Sequence, residues 1–491
     1  MTMDLSSRVN PFQLEKATSD ALDSLFEKYQ NHPEGVCVSF RDLCGSWPWA
    51  KRSDVYTHLI HAYPAKMLAY IPIFFQSTER FAKANEPILD VFAGSSTVLL
   101  ESIAHPVFPR DAYGIEINPL ARLVGKVKTT PIIIEDAKEA YLEVVNCAGK
   151  TAQTKIPEYN NIDYWFSPRI KKSLGQIAWA IDAVSMADDL RDFLLVCFSA
   201  IVKKCSLADP DIPVPVLLKL KKQNPNKCSN SVDKRNKIVQ PLLKALDTID
   251  PLEIFSDSVY SNLVRMRLFN EVMKGRATKA TIICEDARCI QSIPMSSRAK
   301  FELGKKKTLP DNSVAMVITS PPYGSAQKYI RATRLEMLWT GLLTSAEITN
   351  LEKISIGTES LLSKDCCTLV MTGYPNIDDI IRQINDNNHY RASITSLYFN
   401  EMIKVFKEIK RVLKPGGELV LVIGDNESCD IEIQNHVFLA SIANDLGLRQ
   451  ELLLRDPVKS RGMMTKRHKS AGMIADDWII LFKKDREICS S

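Results

Sequence analysis

No run of apolar residues in this chain approaches the roughly 18 needed to cross a bilayer as a helix. The first ten residues lack a basic region followed by an apolar core, so no secretory leader is expected and the chain reads as cytoplasmic, with no membrane partner. Twelve cysteines are present, yet none form paired C-x-x-C knuckles: Cys366 and Cys367 are adjacent, Cys37, Cys147, Cys228 and Cys429 stand alone, and Cys197 and Cys205 fall in apolar helical sequence. That pattern excludes a zinc scaffold and leaves reduced, mostly buried thiols, with no metal expected. No internal repeat is visible, and the net charge of +5 is modest, so any nucleic-acid surface must come from local patches.

What the chain does have is length, 491 residues at 45% apolar content, more than one ordinary core accommodates. Two or three domains, or one domain with large insertions, are expected. The segment Ser313-Val314-Ala315-Met316-Val317-Ile318-Thr319 has the continuous apolar character of a buried parallel strand, and it empties into Ser320-Pro321-Pro322-Tyr323. Two consecutive prolines fix the backbone and hold the flanking polar groups at a strand's carboxyl edge, where open α/β sheets bind ligands. An aromatic face beside a fixed row of acceptors suits a flat base bearing an exocyclic amino group. The same four letters also serve as a plain turn closing a strand.

A second segment favours the ligand reading. Pro87-Ile88-Leu89-Asp90-Val91-Phe92-Ala93-Gly94-Ser95-Ser96-Thr97 is an apolar strand running into a small-residue loop, followed by the apolar helix start Val98-Leu99-Leu100-Glu101. Small residues allow close backbone approach to a ligand, and free amides at a helix start favour a carboxylate or phosphate. About twenty residues on, Tyr113-Gly114-Ile115-Glu116-Ile117-Asn118-Pro119 is a short strand ending in an acid able to accept both hydroxyls of a ribose, although a lone acid there is equally a surface group.

This ordered set resembles the amino-group DNA methyltransferases, the S-adenosylmethionine-dependent family that methylates the exocyclic nitrogen of cytosine or adenine. The resemblance extends to His61-Ala62-Tyr63-Pro64-Ala65-Lys66, similar to the family's segment bordering the methionine end of the cofactor, and to Ile282-Ile283-Cys284-Glu285-Asp286-Ala287, similar to its acid beside the adenine. It covers roughly residues 55–130 and 278–484. It implies cofactor contacts at Tyr63, Lys66, Asp90, Phe92, Gly94, Ser95, Ser96, Thr97, Glu116, Asn118, Asp286 and Ala287. It implies a target-base site at Ser320, Pro321, Pro322 and Tyr323. Two positions depart from the family pattern: Val91 stands where proline is usual and Ser96 where the second glycine is usual. A side chain at Ser96 is expected to crowd the cofactor or to force a positive φ.

The expected architecture is α/β, a doubly wound Rossmann-like methyltransferase sheet with an antiparallel edge strand and a large helical insertion. Residues 1–54 form an N-terminal extension, 55–134 the first part of the methyltransferase domain, 135–277 a helical insertion suited to target recognition, and 278–491 the second part, itself interrupted at 327–388. Helical periodicity marks 170–187, 190–205, 237–246 and 259–272, and strands are expected at 281–284, 314–318, 417–424, 448–454 and 478–482. Lys414-Pro415-Gly416-Gly417 ends a helix over 398–413 and turns it into a strand.

Two basic stretches suit DNA phosphates: Lys219 to Lys237, and the run holding Arg455, Lys459, Arg461, Lys466, Arg467, His468 and Lys469. Within the second, Arg461, Lys466, Arg467 and Lys469 are the DNA-binding candidates, a solvated charged face being the alternative in each stretch. Methylation at ring carbon 5 of cytosine uses a cysteine after a proline, and the chain contains no Pro-Cys dipeptide. A serine before the two prolines, in the family it resembles, mostly accompanies cytosine. The reading is therefore site-specific transfer from S-adenosylmethionine to the amino nitrogen of cytosine in DNA, by base flipping and direct transfer, with a cognate restriction or defence component as a further partner. Adenine-N6 methylation, an RNA amino-group methyltransferase, and a cofactor-binding module without catalysis are the alternatives.

Overall fold

The computed structural model describes residues 10–45, 56–64, 66–220, 230–290, 309–324, 329–359, 361, 369–457 and 476–486. Ten strands occur there: β1 (Val36–Cys37), β2 (Ile88–Asp90), β3 (Ala112–Ile115), β4 (Ala280–Cys284), β5 (Val314–Thr319), β6 (Leu413–Ile423), β7 (Asn426–Ser428), β8 (Ile431–Ile433), β9 (Leu448–Pro457) and β10 (Asp476–Lys484). Eight of them form one sheet in the order β1-β9-β10-β6-β5-β2-β3-β4, and β7 and β8 pair separately. The run β6-β5-β2-β3-β4 is parallel throughout. Mixed α/β architecture with a large, mostly parallel sheet is thus observed as expected.

The antiparallel strand is not where the sequence placed it. β10 pairs antiparallel with both β6 and β9, so it lies inside the sheet, and the edge beyond β9 is closed by β1 from the N-terminal extension, pairing Val36 with Leu454. Burial explains the choice. Ile479 to Phe482 form an unbroken buried apolar run, which an edge position would leave half exposed, whereas the buried apolar run of β9 is shorter, Leu452 to Leu454, with the polar residues Arg449, Gln450, Glu451 and Arg455 on either side.

Successive strand residues face opposite sides, and the core divides accordingly. Ile88, Met316, Ile318, Val420 and Val422 belong to one apolar cluster, while Leu89, Val317, Leu419, Leu421 and Ile423 belong to the other. Helices cover both faces. The second cluster packs under helices Pro375–Asn387, His389–Val412 and Asn435–Asp445; the first is shared with helices of the 135–277 segment through Val144, Leu174, Phe198, Phe255 and Met266. That segment is helical as read, with long helices Ile134–Lys150, Pro168–Ala183, Asp188–Val202, Asn230–Thr248 and Pro251–Met273.

Helix starts repeat one local device. Asn10-Pro11, Asn118-Pro119, Ser167-Pro168 and Asp250-Pro251 each place a capping side chain that accepts from amides of the first turn, followed by proline at the first helical position. Among the described residues no helix is long and apolar enough to cross a membrane.

The helix read over 398–413 begins earlier, at His389, and gives way at Leu413 to β6, whose first residues are the Lys-Pro-Gly-Gly turn. A Cβ on Gly417 would sit 2.8 Å from the Ala315 carbonyl oxygen and 2.9 Å from that of Lys414, both backbone atoms that cannot yield cheaply. Gly417→Ala is therefore expected to cost about 1–3 kcal/mol of stability, measured by denaturant unfolding, because it pushes β6 off the strand that carries the Ser-Pro-Pro-Tyr turn.

Candidate active site

The carboxyl ends of β2, β3, β4 and β5 open into a cleft of about 290 Å³. Tyr63, Lys66, Asp90, Phe92, Gly94, Ser95, Thr97, Glu116, Asn118, Asp286, Ala287, Ser320, Pro322 and Tyr323 all line it, so segments separated by up to 260 residues in the chain (63 to 323) meet as the motifs implied. Of the residues expected there, Ser96 and Pro321 do not line it. Arg461, Lys466, Arg467 and Lys469 lie outside the described residues.

β2 and β5 are joined at their ends. The Thr319 hydroxyl donates to Asp90 Oδ1 at 2.7 Å, and Phe92 N donates to the same oxygen at 3.0 Å. Asp90 is 2% exposed, and burial, partly offset by these donors, pushes its carboxyl up to about 7. The next acid, Glu116, follows β3. Its Oε2 accepts from Gly94 N and its Oε1 from Asn118 N, each at 2.7 Å, so it ties the small-residue loop to the third strand while each oxygen keeps a second lone pair. Burial raises its pKa, and the backbone donors and the nearby Arg122 guanidinium oppose that rise. Asn118 caps helix Pro119–Thr129 through Oδ1, and its Nδ2 donates to the Tyr63 hydroxyl at 3.2 Å and to Thr333 Oγ1 at 3.1 Å. Lys66 Nζ donates to the His58 and His61 carbonyls, both at 2.7 Å.

The loop itself leaves room for a ligand. Gly94 has φ +50°, and a Cβ there would meet nothing closer than the Phe92 carbonyl oxygen at 4.0 Å. The Ser95 hydroxyl is buried at the cleft without a hydrogen-bond partner. Carboxylates dominate the lining, with Asp90, Glu116, Glu285, Asp286, Glu352, Glu359 and Asp477 against Lys66, Arg288 and Arg331.

Ser96 resolves one of the two expectations attached to it. It adopts φ 60° and ψ 44°, the left-handed conformation a glycine would take without strain, but its side chain is fully buried and turned away from the cleft. The space it fills is made by Gly125: a Cβ on that residue would lie 2.2 Å from Ser96 Oγ. The residue pair thus has its glycine on the neighbouring helix instead of in the loop. Val91, the other departure, is buried in the core.

At the Ser320 to Tyr323 turn, Tyr323 donates its phenol O–H to Asp477 Oδ1 at 3.1 Å, and Ser320 lines the same cleft. Asn426 Nδ2 donates to the Gly324 carbonyl at 2.8 Å, and a Cβ on Gly324 would press to 3.1 Å on the Tyr398 ring. Asp286 accepts from Arg288 Nε at 2.8 Å and Nη2 at 2.9 Å; the same guanidinium reaches Glu401 and the Ile354 carbonyl. The 327–388 segment supplies the outer wall through Tyr329, Arg331, Glu352 and residues 355–359.

Asp477, Arg288 and Asn426 were missed in the sequence, as were the particular residues by which the 327–388 insertion closes the cleft. Asp477 alone carried a readable signal: it directly precedes the apolar run of β10, and a strand antiparallel to its neighbours starts at their carboxyl ends, where the site lies.

The DNA methylase family model for N6 and N4 enzymes matches residues 314–490. The Type II methyltransferase M.MvaI of Kocuria varians is 25% identical over 408 residues, covering 79% of this chain and 80% of that protein. M.AvaI of Nostoc sp. is 22% identical over 76% of this chain and 75% of its own length, and M.BsoBI of Geobacillus stearothermophilus 21% over 74% and 73%. A crystal structure described as a DNA modification methylase, from Thermus thermophilus, matches 41% of this chain and 50% of its own at 18% identity, with a TM-score of 0.18 that carries no argument about the fold.

The Ser96 and Gly125 pair gives a compensation test. Gly125→Ala is expected to destabilise the protein by about 1–3 kcal/mol through the clash with Ser96, and Ser96→Gly in the same chain to recover most of that loss, both read from thermal and denaturant melts. Additive losses would contradict the pairing. The sheet, the ordered segments at its carboxyl edge, the family-model match over residues 314–490 and these relatives together support the amino-group DNA methyltransferase family for this chain.

Proposed function

We propose that this protein is a site-specific DNA methyltransferase of restriction–modification type, which methylates the exocyclic amino nitrogen of cytosine using S-adenosylmethionine. The carrying observation is the single cleft shared by the Gly94–Glu116 loop pair and the Ser320 to Tyr323 turn, joined through Asp90 and Thr319. The sheet is read as a Rossmann-like, doubly wound methyltransferase sheet. Relatives named as Type II methyltransferases support DNA as the substrate and a cognate endonuclease as a partner.

S-Adenosylmethionine fits this lining. Its sulfonium suits a predominantly acidic cleft, Glu116 has lone pairs for the ribose hydroxyls, Asp286 lies where the adenine amino group is read, and the unpartnered Ser95 hydroxyl with the open space at Gly94 suits the amino-acid end. When bound, the cofactor supplies an electrophilic methyl group that needs no metal. What the protein supplies is geometry. Ser320 Oγ, which lines the cleft, accepts an N–H bond of the amino group, drawing its lone pair out of conjugation with the ring, and Tyr323 stacks on a base turned out of the duplex. The helices of 135–277 and the basic run that includes Arg461, Lys466, Arg467 and Lys469 are assigned to DNA docking. Ser320 favours cytosine; adenine-N6 methylation is the second reading, since backbone and aromatic contacts serve either base.

The test is titration calorimetry together with tritiated-methyl transfer into unmodified DNA. One cofactor per chain is expected, weakened by about 1–3 kcal/mol in Glu116→Ala. Ser320→Ala is expected to lower turnover with cofactor affinity unchanged, and Tyr323→Ala to lose about 1–3 kcal/mol of base stacking. Because burial holds Asp90 at about 7, it retains a proton below that pH that a bound cation would expel. Affinity should therefore tighten as pH rises from about 5.5 to 8, with proton release seen as a buffer-dependent heat. No binding by the intact protein, or no label in DNA, would overturn the proposal.

A further inference from the structure

The chain leaves the Ser320 to Tyr323 turn through Gly324, whose carbonyl is held from behind by two side-chain amides in series. Asn426 Nδ2 donates to the Gly324 oxygen at 2.8 Å, and Asn435 Nδ2 donates to Asn426 Oδ1 at 2.8 Å and to the Gly424 carbonyl at 2.9 Å. No motif of the sequence includes either asparagine. Both ends of the series are backbone carbonyls, which can only accept. Gly424 therefore requires the nitrogen of Asn435, and Gly324 the nitrogen of Asn426. The second Asn435 proton is left for the Asn426 oxygen, and turning either amide over would set like against like at two contacts.

We propose that Asn426 is a positioning residue for the target-base turn, its amide oriented by Asn435, so that Tyr323 presents its stacking face in place before DNA arrives. The inference rests on the methyltransferase reading of this site. Tyr323 is then fixed at two points: its phenol at Asp477 Oδ1, 3.1 Å away, and the backbone immediately after it at the Gly324 carbonyl. A turn held in this way has little freedom left to lose when it closes on a base. Position matters here, since a misplacement of about 1 Å at a reacting centre costs on the order of a hundredfold in rate. Neither asparagine is among the residues lining the cleft, so the pair acts on the base-side turn without touching the cofactor side.

The elements behind the turn keep the two amides in place. Asn426 opens β7 and pairs with Ile433 of β8 across a hairpin whose turn residues Cys429 and Asp430 take φ of 54° and 61°. Asn435 is fully buried at the start of helix Asn435–Asp445. Beside them Asp425 accepts from Trp478 Nε1 at 3.0 Å and from His436 N at 3.2 Å, and the His436 and Trp478 rings stack with centroids 3.9 Å apart. Trp478 follows Asp477 in β10, so one strand start braces both the β6–β7 junction and the Tyr323 phenol. The Tyr398 ring closes the remaining side of Gly324, where a Cβ would come within 3.1 Å of it.

The experiment compares wild type, Asn426→Ala, Asn426→Asp, Asn435→Ala and the Asn426→Ala/Asn435→Ala double variant. Single-turnover transfer of tritiated methyl from saturating S-adenosylmethionine to saturating unmodified genomic DNA gives a rate constant and an amplitude, and calorimetry with S-adenosylmethionine gives affinity and stoichiometry. A purely structural loss lowers amplitude and stoichiometry, whereas a displaced turn lowers the rate constant. Expected is a rate constant lower by about tenfold or more in Asn426→Ala. Asn426→Asp should lose at least as much, because its carboxylate still accepts from Asn435 but sets a second acceptor against the Gly324 carbonyl. Asn435→Ala should lose rate in the same direction, with the double variant no slower than the slower single one and cofactor affinities within about twofold of wild type. Asn426→Asp is isosteric at a part-buried position and decides the case if Asn435→Ala does not fold. A wild-type rate constant in Asn426→Ala or Asn426→Asp, multiplying losses in the double variant, or cofactor affinity that falls along with the rate would overturn the positioning role while leaving the methyltransferase reading in place. A wild-type protein that labels no DNA would overturn both.

Discussion

The hydrogen bond from Thr319 to Asp90 is the constraint on which the rest of the site depends. It joins the ends of two adjacent parallel strands whose residues lie 229 positions apart in the chain, in a place where neither group reaches water. A buried bond to a carboxylate contributes about 1.5–3 kcal/mol, and loss of either partner leaves the other unsatisfied. One strand leads into the loop proposed to hold the methyl donor, the other into the turn proposed to hold the acceptor base. Fixing the two strand ends fixes donor against acceptor, which is the main thing that a direct transfer asks of a protein.

Around that junction, support arrives from parts of the chain that look unrelated to it. Glu116 ties the third strand to the glycine loop, Asp477 holds the aromatic ring of the turn, Asn426 holds the Gly324 carbonyl, and Arg288 links Asp286 to Glu401 and to the Ile354 carbonyl. Each is a polar side chain that reaches a specific partner in a partly buried setting, where a hydrogen bond is stronger and a missing partner costs more than in water.

The parallel half of the sheet and the residues that line the cleft were legible because they are local: a strand, a turn and a helix start leave a contiguous pattern, as at Asp90 to Thr97 and at Val314 to Tyr323. The position of β10 was not. Pairing partners of a strand are set by burial across the sheet, and Trp478 to Phe482 reads identically at an edge or inside, until the two-residue strand Val36–Cys37 is known to cap the far side. Ser96 shows the same limit. Its neighbour Gly125 sits 29 positions along, on a helix where a glycine ordinarily signals little, and only contact between them explains how a loop lacking its second glycine closes. The wall over 355–359 had no sequence signal, since its residues act by position alone.

The most direct measurement is nucleoside mass spectrometry of DNA treated with the protein and trideuteromethyl S-adenosylmethionine. The account requires the label in 4-methylcytosine, on the exocyclic nitrogen presented to Ser320. Label on the amino nitrogen of adenine would retain the cleft and reassign the base; label on ring carbon 5 of cytosine, or none in any nucleoside, would contradict the account.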